Sequence, residues 1–548
     1  MEVKPLQKIQ QQPWQKYYSD AELNLELPEV SLYSLLHESA VKYGDRPAIT
    51  FNDKVITYGE LKKRVDCLAS SWKSLNFQKG ERIGLAVGNH PDYITAYYAA
   101  HALGLIVVQI NPAYTPRELL QILDDARASY IVVNSRSLQT IQEISDFYTC
   151  KYIIGSQIDE EEMSILHMEK LIASGEPLEA PEPIEAKEDV AVIQYTGGTT
   201  GKTKGAMLTH FNLMTNVIQC FSMYKEKIIL GEETVLAVTP LYHVYAMTGA
   251  MNLGLYIGAN LLVIEKFDTD EVLEKVKEYR PTMFSGVPKM YITFVNHPKI
   301  REYGLDSLKI CSSGSAPLPI EVIKKFEDIA GTKIFEGFGM SETSPTTHRN
   351  PVHGERKVGS IGIPVPGTDC RIVDSDHNEL GPNYVGELLI KGPQVMKGYW
   401  NSESETKQAL QSGWMHTGDL ATMDEDGYFY IVGRKKEMII FGGFNVYPPE
   451  IESILYEHED IKEAAVVGLP HDTHGEIVKA YIVPKEGRLI DVDDLQNYCY
   501  AKLTPYKVPK VFEIRDSLPR NGVGKLLKRL LVKEEMERRE EENERSDN

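Results

Sequence analysis

Tyr195-Thr-Gly-Gly-Thr-Thr-Gly-Lys-Thr-Lys-Gly205 lies one residue beyond the apolar, strand-like run Val190-Ala-Val-Ile193. The stretch holds four glycines, four threonines and two lysines. Glycine lets backbone N–H groups crowd around an anion, and the hydroxyls and ammonium groups add donors and charge. A polyphosphate needs all of these. The pattern is not a Walker A loop, which puts four residues between its first glycine and Gly-Lys-Ser/Thr. Counting back from Gly201-Lys202-Thr203, that first position is Thr196. A flexible linker with chance threonines would share the composition.

Outward from this loop, helix-like and strand-like segments alternate from Ser31 onward. SLYSLLHESAVKYG and YGELKKRVDCLASSWKSL read as helices, and RIGLAVGN and LIVVQINP as short apolar strands with a helix at DYITAYYAAHALG between them. Such alternation implies parallel sheets covered on both faces. Two such runs before about residue 330 suggest two layered αβα subdomains. From Lys357 to Ile431 the segments DCRIVDSD, VGELLIKG and GYFYIVG suggest a small β-barrel or meander. After Arg434 the pattern restarts as a compact α+β unit with a charged helical tail, read as solvated or frayed beyond Leu531. The fold class is therefore α/β. Its parts are a large N-terminal domain over 1–433, of two αβα subdomains plus the small barrel, and a small C-terminal domain over 434–548. The first twenty-five or so residues read as an extension that packs weakly or drapes over the body.

Composition narrows the partners. A chain of 548 residues exceeds what one core usually supports, and 42% hydrophobic residues suffice for globular folding. A net charge of −20 without a basic cluster argues against nucleic acid as a partner. Six cysteines without CxxC spacing read as reduced thiols, with a cytoplasmic location expected. The N-terminal MEVKPLQKIQQQPWQKYY has no apolar core, and the run from Ala96 to Ile110 is broken and too short to span a bilayer. No transmembrane segment is expected, peripheral membrane contact stays open, and the assembly is read as a monomer or homodimer.

Further motifs follow in order: PLYHVYAM from Pro240, SSGSAPL from Ser312, EGFGMSET from Glu336, GWMHTGD from Gly413, GRKKEMIIFGGFNVYPPEIE from Gly433 and LPRNGVGKLLKR from Leu518. Together with the glycine loop they resemble the signatures of the adenylate-forming enzymes, which include acyl-CoA synthetases, coumarate ligases, luciferases and peptide-synthetase adenylation domains. The resemblance covers about residue 30 to about residue 530 and looks most like the bacterial fatty-acyl-CoA ligases.

The resemblance implies ATP, Mg2+ and coenzyme A, and a small domain that swings between two catalytic poses about Arg434-Lys435-Lys436, with Lys436 at the pivot. It makes Thr196, Gly197, Gly198, Thr199, Thr200, Gly201, Lys202 and Lys204 the phosphate-binding loop. Lys525 would bridge carboxylate and α-phosphate oxygens, a task that suits a flexible point charge. Taken alone, Lys525 is one more lysine in a basic segment. Glu342 would bind Mg2+, which favours one or two carboxylates plus substrate phosphates, with Thr343 adding a hydroxyl; Ser341-Glu342-Thr343 would also suit a helix start. Adenine would lie against Gly314, Ser315, Ala316 and the ring of Phe338, flanked by Gly337 and Gly339. Phe338 stands where relatives often carry Tyr, so stacking survives and a phenolic hydrogen bond is lost. Asp419 would accept the ribose hydroxyls, and Arg434 would contact ribose or phosphate; a Thr-Gly-Asp turn is the plain reading of Asp419. His243 would position substrate near the carboxylate, although a lone histidine among aromatics is usually a core residue. Gly442 and Gly443 would line the pantetheine tunnel, and a glycine turn between strands would look the same.

Acid selection falls to Tyr242–Met247, Phe284–Pro288 and Gly337–Met340, which are apolar or aromatic with small residues between. Tyr242-His-Val-Tyr245 offers no acid to pair an α-amine. The expected activity is ATP-dependent ligation of a medium- to long-chain fatty acid to coenzyme A, releasing AMP and pyrophosphate. An aryl acid of the cinnamate or benzoate type is the second substrate reading. An ATPase or phosphotransferase is the reading from another class, disfavoured by the loop spacing and the distant Lys525.

Overall fold

Thr57 accepts from the Glu60 N–H while the Glu60 carboxylate accepts from the Thr57 N–H, and the helix Tyr58–Ser74 starts there. The same reciprocal cap at Thr115 and Glu118 opens Pro116–Ala126, and Ser31 caps Leu32–Tyr43. The computed structural model describes residues 12–158, 165–197, 203–352, 354–471, 473–520 and 526–546. Contacts divide the chain into two units, the first comprising 1–370, 390–415 and 425–428, the second 371–389, 416–424 and 429–548.

The first unit holds two mixed sheets. One runs Gly398–Tyr399, Thr203–Thr209, Val190–Gly197, Ile106–Gln109, Arg82–Ala86, Tyr130–Val133, Tyr152–Gly155, Leu166–His167. Its strands from Val190–Gly197 onward are parallel, and the two before it are antiparallel. The other runs Ile363–Pro364, Thr346–Arg349, Ile334–Gly339, Ile310–Ser313, Met283–Gly286, Thr234–Ala237, Asn260–Val263, Pro47–Phe51, Lys54–Thr57. Its strands are parallel from Ile334–Gly339 to Pro47–Phe51 and antiparallel at both edges. The helix Pro91–Ala102, mostly apolar apart from Asp92, Thr95 and His101, is buried along its whole length. Its tyrosines keep their hydroxyls paired, Tyr93 to Gln109 Oε1 at 2.6 Å and Tyr98 to Asn252 Oδ1 at 2.9 Å.

The described part of the N-terminal extension, from residue 12 on, is held more firmly than its composition suggests. Trp14 is 2% exposed, Lys16 pairs with Asp426 at 2.7 Å, and Tyr17 meets Tyr428 edge-on with centroids 5.4 Å apart. A Cβ on Gly427 would lie 2.8 Å from the Trp14 nitrogen, so only glycine permits this approach.

The stretch expected to form a small barrel is a five-stranded sheet whose path stays open among the described residues: Asp369–Val373, Gly386–Lys391, Trp414–Met423, Leu410–Gln411, with Phe429–Arg434 also on Trp414–Met423. The long strand turns from one neighbour to the other along its length, pairing first at Trp414–Met415 and then from Asp419 onward. In the second unit another sheet runs Phe444–Val446, Ile439–Phe441, Gly475–Pro484, Ile461–His471, with Val511–Ile514 parallel to Gly475–Pro484. The tail forms the helix Lys528–Ser546, and its first turns are docked rather than frayed. Leu531 is buried, and Glu535 pairs with Lys479, itself 1% exposed, at 2.8 Å.

Candidate functional site

Four neighbouring parallel strands end beside one another: Thr234–Ala237, Met283–Gly286, Ile310–Ser313 and Ile334–Gly339. Beyond their carboxyl ends lie the segments bearing His243, Pro288, Gly314–Ala316 and Glu342. Open α/β sheets bind ligands at that edge. Tertiary structure therefore gathers stretches spread over a hundred residues of sequence.

Each segment has a local cause. His243 caps the following helix through Nδ1, which accepts from the Tyr245 N–H at 3.4 Å. That helix continues as a π-helical stretch over Met247–Asn252, a geometry found often at functional sites. Asn89 holds the backbone just before His243. It is 2% exposed, accepts from the Leu241 N–H at 2.8 Å, and donates among the carbonyls of Val238 and Ile264 at 3.1 Å each. Ser315 adopts φ +71°, and a Cβ on Gly314 would lie 3.0 Å from the Tyr245 ring, a tight approach. Gly339 and Gly337 answer to packing as well: their missing Cβ atoms would meet Pro345 O at 2.0 Å and His348 O at 2.8 Å. The half-buried Phe338 ring lies 6.1 Å from His348, edge-on.

Glu342 sits in a tight turn, Ser341–Thr343. The hydroxyl of the buried Thr343 accepts from the Met340 N–H at 3.2 Å and donates to Pro345 O at 2.6 Å. Thr343, not Ser341, therefore shapes the turn that presents Glu342. Tyr399 donates to Glu342 Oε1 at 2.8 Å, and the Lys204 ammonium lies 5.2 Å from the Tyr399 ring centroid while pairing with Glu405. Tyr399 reaches this place because Gly398–Tyr399 pairs with Met207 and Ala206 on the arm that carries Lys204. The described ends of the glycine-rich stretch lie on paired antiparallel strands: Thr196 faces Lys204 and Gly197 faces Thr203. Gly198, Thr199, Thr200, Gly201 and Lys202 lie outside the described residues, as does Lys525. A carboxylate steadied by a phenol, one strand from the glycine-rich stretch, suits Mg2+, which needs few protein ligands when phosphates supply the rest.

In the second unit, Asp419 and Arg434 face each other across neighbouring strands, with Asp419 Oδ1 2.7 Å from Arg434 Nε. Asp419 is buried, and its N–H donates to the Thr417 hydroxyl at 3.0 Å, so the Thr-Gly-Asp bend aims a carboxylate into the interior. Lys435 pairs with Glu387 at 2.8 Å; Lys436 follows in an exposed turn. Gly442 and Gly443, with φ +57° and +87°, make a two-residue turn between Ile439–Phe441 and Phe444–Val446. Positive φ at both central positions is the tight-hairpin requirement, so both glycines have a backbone reason. Tyr399, Glu405 and Asn89 carry no sequence signal of their own; cross-strand pairing reveals the first and the ion pair with Lys204 the second.

The AMP-binding enzyme family profile matches residues 36–400, and that of the AMP-binding enzyme C-terminal domain matches residues 450–525. The chain is 41% identical to a long-chain-fatty-acid–CoA ligase of Bacillus subtilis (strain 168), over 96% of this chain and 99% of that one. It is 34% identical to a feruloyl-CoA synthase of Amycolatopsis sp, over 90% and 95%. Among solved structures, ATP-bound MatB from Rhodopseudomonas palustris superposes with a TM-score of 0.84 at 30% identity, over 92% and 98%.

Proposed function

Given that the chain belongs to the AMP-binding enzyme family and is an AMP-forming acid–CoA ligase using ATP, Mg2+ and coenzyme A, we propose that its acid is a medium- to long-chain fatty acid. The observation that carries the reading is the meeting of Tyr242–Met247, Phe284–Pro288 and Gly337–Met340 at one sheet edge, mostly apolar or aromatic in lining. The name of the Bacillus subtilis relative supports it. An aryl acid is the second reading, supported by the name of the feruloyl-CoA synthase.

In the first step a carboxylate oxygen attacks the α-phosphorus of ATP and pyrophosphate leaves. In the second the coenzyme A thiol attacks the acyl carbon, AMP leaves and the thiol proton is released. Mg2+, held by Glu342 and the phosphates, supplies charge neutralisation when bound. Lys525 and the glycine-rich stretch around Lys202 and Lys204 hold the oxygens on which charge develops. Asp419 takes the ribose hydroxyls, Phe338 and Gly314–Ala316 the base, and His243 the acid. Arg434 to Lys436 serves as the pivot between residues 1–433 and 434–548, bringing Gly442 and Gly443 to the thiol arm. We place the activity in the cytoplasm, a reading supported by six free cysteines; no helix among the described residues is long and apolar enough to cross a membrane.

The test is nucleotide product across fatty, aryl and amino acids with coenzyme A present. AMP and pyrophosphate, with fatty acids giving the highest kcat/KM of these three classes, is the expected result. A higher kcat/KM for aryl acids moves the substrate to the second reading, and ADP with phosphate refutes the ligase reading.

A further inference from the structure

Arg349 ends the strand Thr346–Arg349 and is 4% exposed. Its Nε has no hydrogen-bond partner, and the groups acting on its charge are Tyr224, Cys220 and Tyr245, none of them a carboxylate. The guanidinium lies 4.5 Å from the Tyr224 ring centroid. A cation–π contact offsets only part of the cost of burying an unpaired cation, so a buried guanidinium without an anion marks a place where one arrives.

Its surroundings are built for an acceptor. The Tyr245 and Ser312 hydroxyls are 2.9 Å apart, Ser312 reaches Ser285 at 3.2 Å, and the buried Tyr224 hydroxyl lies beside Ser312. Gly337 faces Arg349 across the strands, and a Cβ there would lie 3.6 Å from Arg349 Nε, so glycine keeps that flank open. Tyr245, Ser285 and Gly337 belong respectively to the three segments assigned to acid selection. The cation therefore adjoins the acyl site.

We propose that Arg349, with the hydroxyls of Tyr245, Ser312 and Tyr224, forms a subsite for a second carboxylate at the end of the acid remote from the one activated. The substrate class is then a dicarboxylic acid with a hydrocarbon spacer. This rests on the reading of the acyl site above. Only one carboxylate enters the reaction; the other stays ionised and pairs with the guanidinium, a contact that a matched monocarboxylic acid cannot make.

The experiment compares dicarboxylic acids of graded length with monocarboxylic acids of equal carbon number, on the full chain with ATP, Mg2+ and coenzyme A. The wild type should favour its best diacid by about tenfold or more in kcat/KM. Arg349→Met should lower diacid kcat/KM about a hundredfold through KM, leave the monoacid within about threefold and leave the ATP KM unchanged. Arg349→Lys should recover part of the diacid activity. An unchanged diacid-to-monoacid ratio in Arg349→Met, or a wild type without diacid preference, overturns the subsite. Where Arg349→Met fails to fold, thermal shift of the wild type decides: stabilisation by diacid over monoacid supports the subsite, and equal response refutes it. A wild type forming no AMP from any acid refutes the ligase reading instead, and the same thermal shift still judges the subsite.

Discussion

Tyr399 shows how one side chain gains a role from its neighbours. Its hydroxyl holds Glu342 Oε1 and its ring lies beneath Lys204, so it couples the carboxylate to the glycine-rich stretch. Groups that orient a metal ligand matter for affinity more than for folding. Tyr399→Phe should raise the Mg2+ concentration for half-maximal AMP release about tenfold. An unchanged Mg2+ titration would detach Tyr399 from the metal site. Lys525 belongs at this scale too. Lys525→Ala should lower acid-dependent pyrophosphate exchange at least about a hundredfold, as loss of a charge-stabilising donor does. Thioester formation from supplied acyl-adenylate should be far less affected; equal loss of both half-reactions would contradict its assignment to the first step.

Among the elements, the Gly442–Gly443 turn separates backbone need from function. Both φ values are positive and a Cβ at either would touch nothing within 4 Å, so a side chain there meets strain rather than a clash. Gly443→Val should cost about 1–2 kcal/mol locally. We expect thioester formation to drop about tenfold or more, as when a gating segment is misplaced, with adenylation within twofold. Half-reaction assays check this, and a parallel fall in both steps would leave the turn a purely structural hairpin. Elements with a local pattern were legible, as in the helix read over YGELKKRVDCLASSWKSL, whose start Thr57 and Glu60 cap. The π-helical stretch after His243 was not, because its register depends on packing. The strand ending at Gly197 outruns its apolar stretch because pairing with Thr203–Thr209 supplies the hydrogen bonds.

For the whole molecule, buried histidines set the acid limit. Burial pushes His210 down to about 4, His348 down to about 3 and His101 well below its ordinary value. Unfolded histidines titrate near 6.5, so below that pH the unfolded chain binds more protons and stability falls toward the folded values. Glu336 opposes this: burial raises its carboxyl to about 7, and the stability it contributes grows as pH falls from 7 toward 4.5. Three bases outweigh one acid. The melting temperature should therefore peak near neutrality and fall by pH 5, each histidine costing about 1–2 kcal/mol there. His210→Asn should flatten the acid limb of that profile. A melting temperature flat from pH 7 to 5 would show that these imidazoles are solvated.

The glycine-threonine stretch and the ordered motifs are contiguous in the chain, so the sequence by itself carried the resemblance to the family and the α/β alternation. The partners of those motifs are not contiguous. Tyr399 beside Glu342, Asn89 behind Leu241 and Arg349 beside the Tyr224 ring arise from strand order and burial, which bring residues far apart in sequence within hydrogen-bonding or ring-contact distance. Only the tertiary structure decided them, because desolvation turns a carboxylate, an amide or a guanidinium from a surface decoration into a group that must be answered.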